Sequence, residues 1–184
     1  MLTVETSSYS FSAEDDYELR DGRSGFVVET QDKRSYIRCY EGYNLDGDSE
    51  GEKKIEQDVL YVAMVSAPGE GNAGIGTILA REALREAKKR GFRVVRAEIE
   101  NPRIAKIIVK LQEEGMISDV KFAIVPRTTP SLPSQEIFTP DRIVDAPQVL
   151  EYLSHLPLDD PTRIKQDDMI SDVNNRTEVI ASLS

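Results

Sequence analysis

Residues 59–76 read VLYVAMVSAPGEGNAGIG, and the fold turns on how this stretch is parsed. Its first seven residues are apolar. A run that short, closed by Ser66, Pro68 and several glycines, reads as a strand buried on both faces. The spacing then changes to that of a helix. Ile75, Ile78, Leu79, Ala83, Leu84 and Ala87 form one stripe, with Arg81, Arg85, Lys88 and Lys89 off it, and Gly91 is the stop signal. A strand that enters a helix through a glycine-rich turn can bind phosphate. Backbone N–H groups point outward there, the helix dipole adds positive potential, and glycine lets an anion approach closely. The plain alternative is that the glycines only make a tight turn.

Outward from this stretch, residues 93–99 (RVVRAEI) read as a second strand. Asn101 is placed to cap the helix that follows, and Pro102 sits where a missing N–H costs nothing. Ile104, Ala105, Ile107, Ile108 and Leu111 give that helix an apolar stripe, ended by Gly115, and 120–125 is one more strand. Strand, helix, strand in this order predicts a parallel pair joined by a right-handed crossover. Upstream, 25–30 and 35–40 read as a hairpin within 24–41, and 1–16 as polar and irregular. Asp46, Asp48 and Glu50 lie two apart in a Gly- and acid-rich segment. The position a calcium loop fills with glutamate is Gln57, so 41–54 reads as a solvated loop.

Downstream of 125 the composition shifts. Five prolines fall within 126–147, which reads as an extended linker. A short apolar stripe at 147–156 is a candidate docking helix, and 157–184 is polar. The expected organisation is a domain at 1–125 with its core at 57–125, then a linker and tail at 126–184. The fold class is α/β: a mixed, mostly antiparallel sheet with two packed helices and an extended proline-rich C-terminal tail.

Composition narrows the function. The 184 residues carry 23 Lys+Arg against 33 Asp+Glu, a net charge of -10. That argues against a general nucleic-acid or membrane binder, since both need a basic surface. The charge is uneven. Residues 1–58 sum to -8 (7 basic, 15 acidic), 59–125 to +3 (11 basic, 8 acidic) and 126–184 to -5 (5 basic, 10 acidic). A basic middle third suits a small anionic ligand. One cysteine, Cys39, excludes an internal disulfide, and one histidine, His155, excludes a histidine-cluster metal site, so no metal is expected. No secretory or membrane-spanning segment is evident, and a cytoplasmic location is expected.

Gly69-Glu70-Gly71-Asn72-Ala73-Gly74 matches G-x-G-x-x-G, the dinucleotide fingerprint. Too few strand–helix units follow it for that fold. A second frame fits better: Asn72-Ala73-Gly74-Ile75-Gly76 at the helix start, Met64-Val65-Ser66 at the strand end, Asn101 after the next strand and Gly115 after the second helix. Over 57–125 this layout resembles the GNAT family of acyl-CoA-dependent N-acetyltransferases.

The resemblance implies an enzyme that moves an acetyl group from acetyl-CoA to an amine on a small molecule or a protein. It implies that Met64, Val65 and Ser66 hold the pantetheine arm like an added strand, one of their N–H groups also facing the thioester oxyanion. It places the pyrophosphate on the amides of Gly71, Asn72, Ala73, Gly74, Ile75, Gly76 and Thr77, and Asn101 against the cofactor arm. Asp58, Glu98 and Glu100 are the candidate general bases. The family pattern is departed from in places. Gly71 stands where the signature has Arg or Gln, Leu111 where a tyrosine acid is often found, and the early helices and the last hairpin are reduced. Those departures support an alternative, a non-catalytic GNAT-like subunit of a larger assembly such as a viral particle, with 126–184 as its oligomer or partner contact and the virion as its location.

Overall fold

The computed structural model describes residues 11–16, 23–45, 55–66, 74–99, 101–155 and 174–184. In chain order the elements are β1 (Phe11–Asp16), β2 (Gly25–Thr30), β3 (Tyr36–Asn44), β4 (Ile55–Ser66), α1 (Ile75–Lys89), β5 (Val94–Ile99), α2 (Pro102–Glu113), β6 (Ile117–Pro126), α3 (Ser134–Ile137), β7 (Ile143–Val144), α4 (Ala146–Ser154) and β8 (Asn175–Leu183). The strands form one eight-stranded sheet in the order β1-β2-β3-β4-β5-β8-β6-β7. Every neighbouring pair is antiparallel except β4 and β5, which are parallel. The expected mixed, mostly antiparallel sheet with a central parallel pair is what forms.

Two helices cover one face of the sheet, as the stripes require. Leu79, Ala83 and Ala87 of α1 pack on Phe26, Ile37, Cys39 and Leu60 of β2, β3 and β4. Ala105 of α2 packs on Ala97, Ile99, Phe122 and Val179, and α4 extends this layer through Val149 and Leu153. The candidate docking helix at 147–156 is α4, capped by Asp145, whose carboxylate accepts the Gln148 N–H at 2.9 Å. Leu60, Leu79, Val149 and Leu153 are at most 1% exposed, so each anchors its element by burying a whole side chain, which stabilises by about 1.5–3 kcal/mol.

The C-terminal half of the molecule differs from the expectation. The chain does not end in an extended tail: residues 175–183 form β8, inserted between β5 and β6 and paired with both. The linker reading of 126–147 is corrected too, since that segment contains α3 and β7. The physical reason is a polar cluster that hydrophobic patterning misses. Arg176, Thr177 and Glu178 are 8%, 1% and 2% exposed. Arg96 of β5, fully buried, donates through Nε and Nη2 to Glu178 Oε2 at 3.0 and 2.7 Å, and Arg176 Nε donates to Glu178 Oε1 at 2.8 Å. Paired charges can be buried where hydrogen bonds offset the loss of water.

The same cluster ties the proline-rich segment down on the sheet face away from α1 and α2. Arg96 Nη1 donates to the Leu132 carbonyl at 2.9 Å and Arg176 Nη1 to the Thr129 carbonyl at 2.8 Å. Glu56 accepts from the Ser134 N–H at 3.0 Å and from its hydroxyl at 2.8 Å. Ile137 and Phe138 then pack on Ala123 and Val125 of β6. β8 is thus an inner strand of the sheet, paired along both of its edges.

Two smaller differences concern the N-terminal half. Phe11–Asp16, read as irregular, is an edge strand paired with β2. The hairpin pairs within the bounds read for it, Gly25–Glu29 with Tyr36–Tyr40, but β3 runs on to Asn44 and pairs there with the start of β4 at Ile55, so 41–44 is strand rather than loop. The calcium-like residues Asp46, Asp48 and Glu50 lie outside the described residues.

Candidate active site

The site is built where β4 and β5 stop pairing. Their parallel ladder has four rungs, from Val59 opposite Val94 to Val62 opposite Ala97. Past that point each strand keeps only its outer neighbour. Met64, Val65 and Ser66 pair with Arg38, Ile37 and Tyr36 of β3, while Glu98 and Ile99 pair with Glu178 and Thr177 of β8. A β-bulge marks the divergence. Arg38 pairs with Met64 and Cys39 with Val62, so Ala63 is the extra residue, and a bulge bends its strand locally. Among the described residues no strand lies between the two ends, and Ala63 is exposed within a run that reads as fully buried.

Parallel strands deliver their following helices to the same end of the sheet, so α1 and α2 both begin beside this gap. Gly74 is the N-cap of α1, with φ 70° and no side-chain cap. A Cβ built on it meets nothing within 4 Å, so the position opens to space. The first N–H groups of a helix lack intrahelical partners. Here the N-cap glycine has no side chain to cap them, and no acidic residue sits in the first turn. The N-terminus of α2 has no acidic first-turn residue either, and Asn101 caps it, its Oδ1 accepting the Arg103 N–H at 2.8 Å. Two dipole ends with no acidic residue in their first turns favour an anion at this end of the sheet.

The other side of the gap carries the titratable groups. Glu98 lies on the face away from α1 and α2, 3.2 Å from Arg127 Nη2, with its side chain 20% exposed. Burial raises its pKa above the ordinary 4.5, against the pull of Arg127 and Arg176. Tyr61, one rung before the gap on the same face, has its phenol pushed up by burial and by the nearby Tyr43, Glu98 and Glu178. It therefore stays protonated and can donate a hydrogen bond at neutral pH. Its ring meets Tyr43 edge-on at 5.1 Å, and Arg96 lies 3.6 Å over the Tyr43 ring.

The structure therefore brings together the backbone of Met64, Val65 and Ser66, the start of α1 at Gly74, Ile75, Gly76 and Thr77, the capping Asn101, and Glu98. Gly71, Asn72, Ala73 and Glu100 lie outside the described residues. Asp58 is not brought to this place. It is exposed, sits before the first rung with φ 61°, and is four residues from Val62, which is about 13 Å along a strand. Leu111 is 1% exposed in the core, so that position faces packing side chains rather than the gap. Cys39 is fully buried and its thiol pKa is pushed up by desolvation, while His155 is exposed at the C-cap of α4.

Arg127 was not visible as a site residue, because its approach to Glu98 depends on β6 and β5 flanking β8. In the sequence Tyr61 is only one residue of the apolar run at 59–65. Its place one rung from the gap follows from where the ladder ends. Among the described residues, no three His, Cys, Asp or Glu side chains gather as a metal site, and no helix is long and apolar enough to cross a membrane.

No protein-family profile and no curated protein matches this chain. Solved structures do. A GNAT superfamily phosphinothricin acetyltransferase from Sinorhizobium meliloti, in complex with AcCoA, aligns over 89% of this chain and 63% of its own, with 11% identity and a TM-score of 0.44. This chain thus spans less than two thirds of that enzyme. A putative phosphinothricin N-acetyltransferase aligns over 91% and 75% with 16% identity and a TM-score of 0.44. A Bacillus subtilis acetyltransferase in complex with CoA aligns over 95% and 100% with 11% identity and a TM-score of 0.42. In structure, this chain is similar to acetyltransferases of the GNAT superfamily.

Proposed function

We propose that this protein is an N-acyltransferase that moves an acetyl group from acetyl-CoA to an amine, the acceptor being a small molecule or a protein. One observation carries the reading: the β4–β5 ladder ends after Val62 and Ala97 in a gap beside which α1 and α2 begin, neither with an acidic residue in its first turn and α1 with a glycine as its N-cap. The free edge of β4 at 63–66 offers backbone groups to the amides of a pantetheine arm. The N–H groups of Ile75, Gly76 and Thr77 suit a diphosphate, with Gly74 leaving room for its approach.

The thioester, when bound, supplies the activated acyl carbon. The chain's own residues then have three tasks. A β4 N–H at the gap stabilises charge on the carbonyl oxygen. Glu98 accepts, directly or through water, the proton that the amine gives up as its nitrogen bonds to carbon. The C–S bond breaks, and the departing sulfur takes up a proton, which Glu98, having accepted one from the amine, supplies directly or through water. Arg127 positions Glu98 from the end of β6.

Titration calorimetry with acetyl-CoA, followed by an assay of free thiol released with a panel of amines, tests the proposal. Saturable heat and amine-dependent thiol release are expected. Absence of heat and of a melting shift at millimolar acetyl-CoA would remove the reading.

A further inference from the structure

The layer between the sheet and the two helices is not completely filled. A cavity of about 50 Å³ lies there, and apolar side chains line it throughout. Its wall begins at the gap: Val62 and Ala97 are the last rung of the ladder, Val65 lies on the stretch of β4 past it, and Gly76 and Ile104 belong to the first turns of α1 and α2. It continues beneath the ladder as far as Leu111. Such a space stays dry, since water needs polar partners to enter. An empty apolar space forfeits the contacts its lining would otherwise make.

A Cβ on Gly76 would stand 3.2 Å from Ile107 Cδ1, so glycine at this position lets α1 approach α2 closely at this end of the cavity. An apolar cavity of about 150 Å³ holds a benzene molecule, so this one has room for roughly two or three carbon atoms.

The geometry points to a subsite for the alkyl end of the acyl group, so that the preferred donors are propionyl and butyryl thioesters of coenzyme A rather than acetyl alone. This rests on the acyltransferase reading, and it leaves the bond changes as described: nitrogen–carbon forms, carbon–sulfur breaks, the amine proton goes to Glu98 and the sulfur regains one. The carbonyl stays at the β4 edge while the added methylenes lie among Val62, Ala97 and Ile104.

The test is calorimetry on the full chain with coenzyme A, acetyl-, propionyl-, butyryl- and octanoyl-CoA, repeated on Ala80→Leu, which fills the cavity from α1. Affinity should rise about fourfold for each methylene up to butyryl and fall for octanoyl. The gain should vanish in Ala80→Leu while coenzyme A and acetyl-CoA bind as before. In the unaltered chain the Val62 and Ala97 methyl resonances should differ between the acetyl- and butyryl-CoA complexes, a readout that holds even if Ala80→Leu fails to fold. Binding of coenzyme A with no chain-length dependence, or a gain that survives in a folded Ala80→Leu, overturns the subsite alone. Failure of every thioester and of coenzyme A to bind removes the acyltransferase reading, and the subsite with it.

Discussion

Glu178→Gln is the sharpest test of how this sheet is held together. Glu178 is 2% exposed and takes both guanidinium groups of the β5–β8 cluster, Arg96 at 2.7 Å through Nη2 and Arg176 at 2.8 Å through Nε. Glutamine keeps the shape and one acceptor oxygen but removes the charge. Arg96 is fully buried, and the carboxylate left to it is Glu56 at 3.1 Å, while Arg176 keeps backbone carbonyls. Breaking a buried pair by neutralising one partner costs about 3–5 kcal/mol, because the remaining charge stays desolvated. A domain of this size has about 5–15 kcal/mol in total, so the variant should remain folded with little margin. Urea unfolding followed by far-UV circular dichroism should show the midpoint fall at unchanged slope, and melting should drop by roughly 10 °C. A loss below about 1 kcal/mol would mean that water reaches the two arginines, and the account of β8 as a strand held by buried charge would be wrong.

Four further variants test the rest of the structure. Glu98→Gln should remove the acid limb of kcat/KM, and in the unaltered protein that limb should lie above 4.5, since burial raises the Glu98 pKa and the base must be ionised to act. The same shift means that the folded state binds this proton more tightly than the unfolded one, so the Glu98 contribution to stability should decline as pH rises from 4.5 through the raised value, a trend that pH-dependent urea midpoints in Glu98→Gln should lack. Asn101→Ala removes the α2 cap and should cost about 1 kcal/mol in urea unfolding. Gly74→Ala meets no neighbour yet forces a β-carbon to φ 70°, so it should cost about 1 kcal/mol in stability and weaken acetyl-CoA binding in calorimetry. Asp58→Gly relieves a φ of 61° at an exposed position; it should raise stability by up to about 1 kcal/mol and leave turnover unchanged, because Asp58 lies at the far end of β4 from the gap.

The middle of the chain was legible because its signals are local. The α1 stripe, the Asn101 cap and the run at 59–65 each announce themselves within a few residues, and each forms. The glycine turn pointed to the right end of the sheet for the same reason. What stayed hidden is non-local. Glu178 looks like a surface residue until Arg96, about eighty positions earlier, supplies a countercharge, and Arg176 is then buried against the same carboxylate. The proline-rich 126–147 looks like a linker until Arg96 and Arg176 hold the Leu132 and Thr129 carbonyls and Glu56 the Ser134 N–H. Asp58 and Glu98 looked equivalent as bases, since sequence spacing does not reveal that the ladder ends on the Glu98 side. Leu111 looked like a lost acid, but a side chain 1% exposed in the core would not have met substrate there.

The placement of stability and openness in this sheet is itself an argument about the site. The strong interactions gather on β5, β8 and the covered face: long ladders on both sides of β8, broken only by a register shift between Ser118 and Lys121, the arginine–glutamate cluster, and the strap at 127–138 held against the sheet. The concessions gather at one end of the β4–β5 pair: a four-rung ladder, a bulge at Ala63, an uncapped α1, a glycine where α1 crosses Ile107, and an apolar cavity directly beneath. Any one of these is an ordinary irregularity. Together they require that the rest of the sheet hold β4 and β5 apart without help from contacts across the gap. A ligand that pairs with the β4 edge, meets the helix N-termini with its anionic end and fills the cavity with its apolar end would supply the contacts this end lacks. The stability gained on binding such a molecule should therefore appear first in the hydrogen-exchange protection of 63–66 and 74–77, and last in β8.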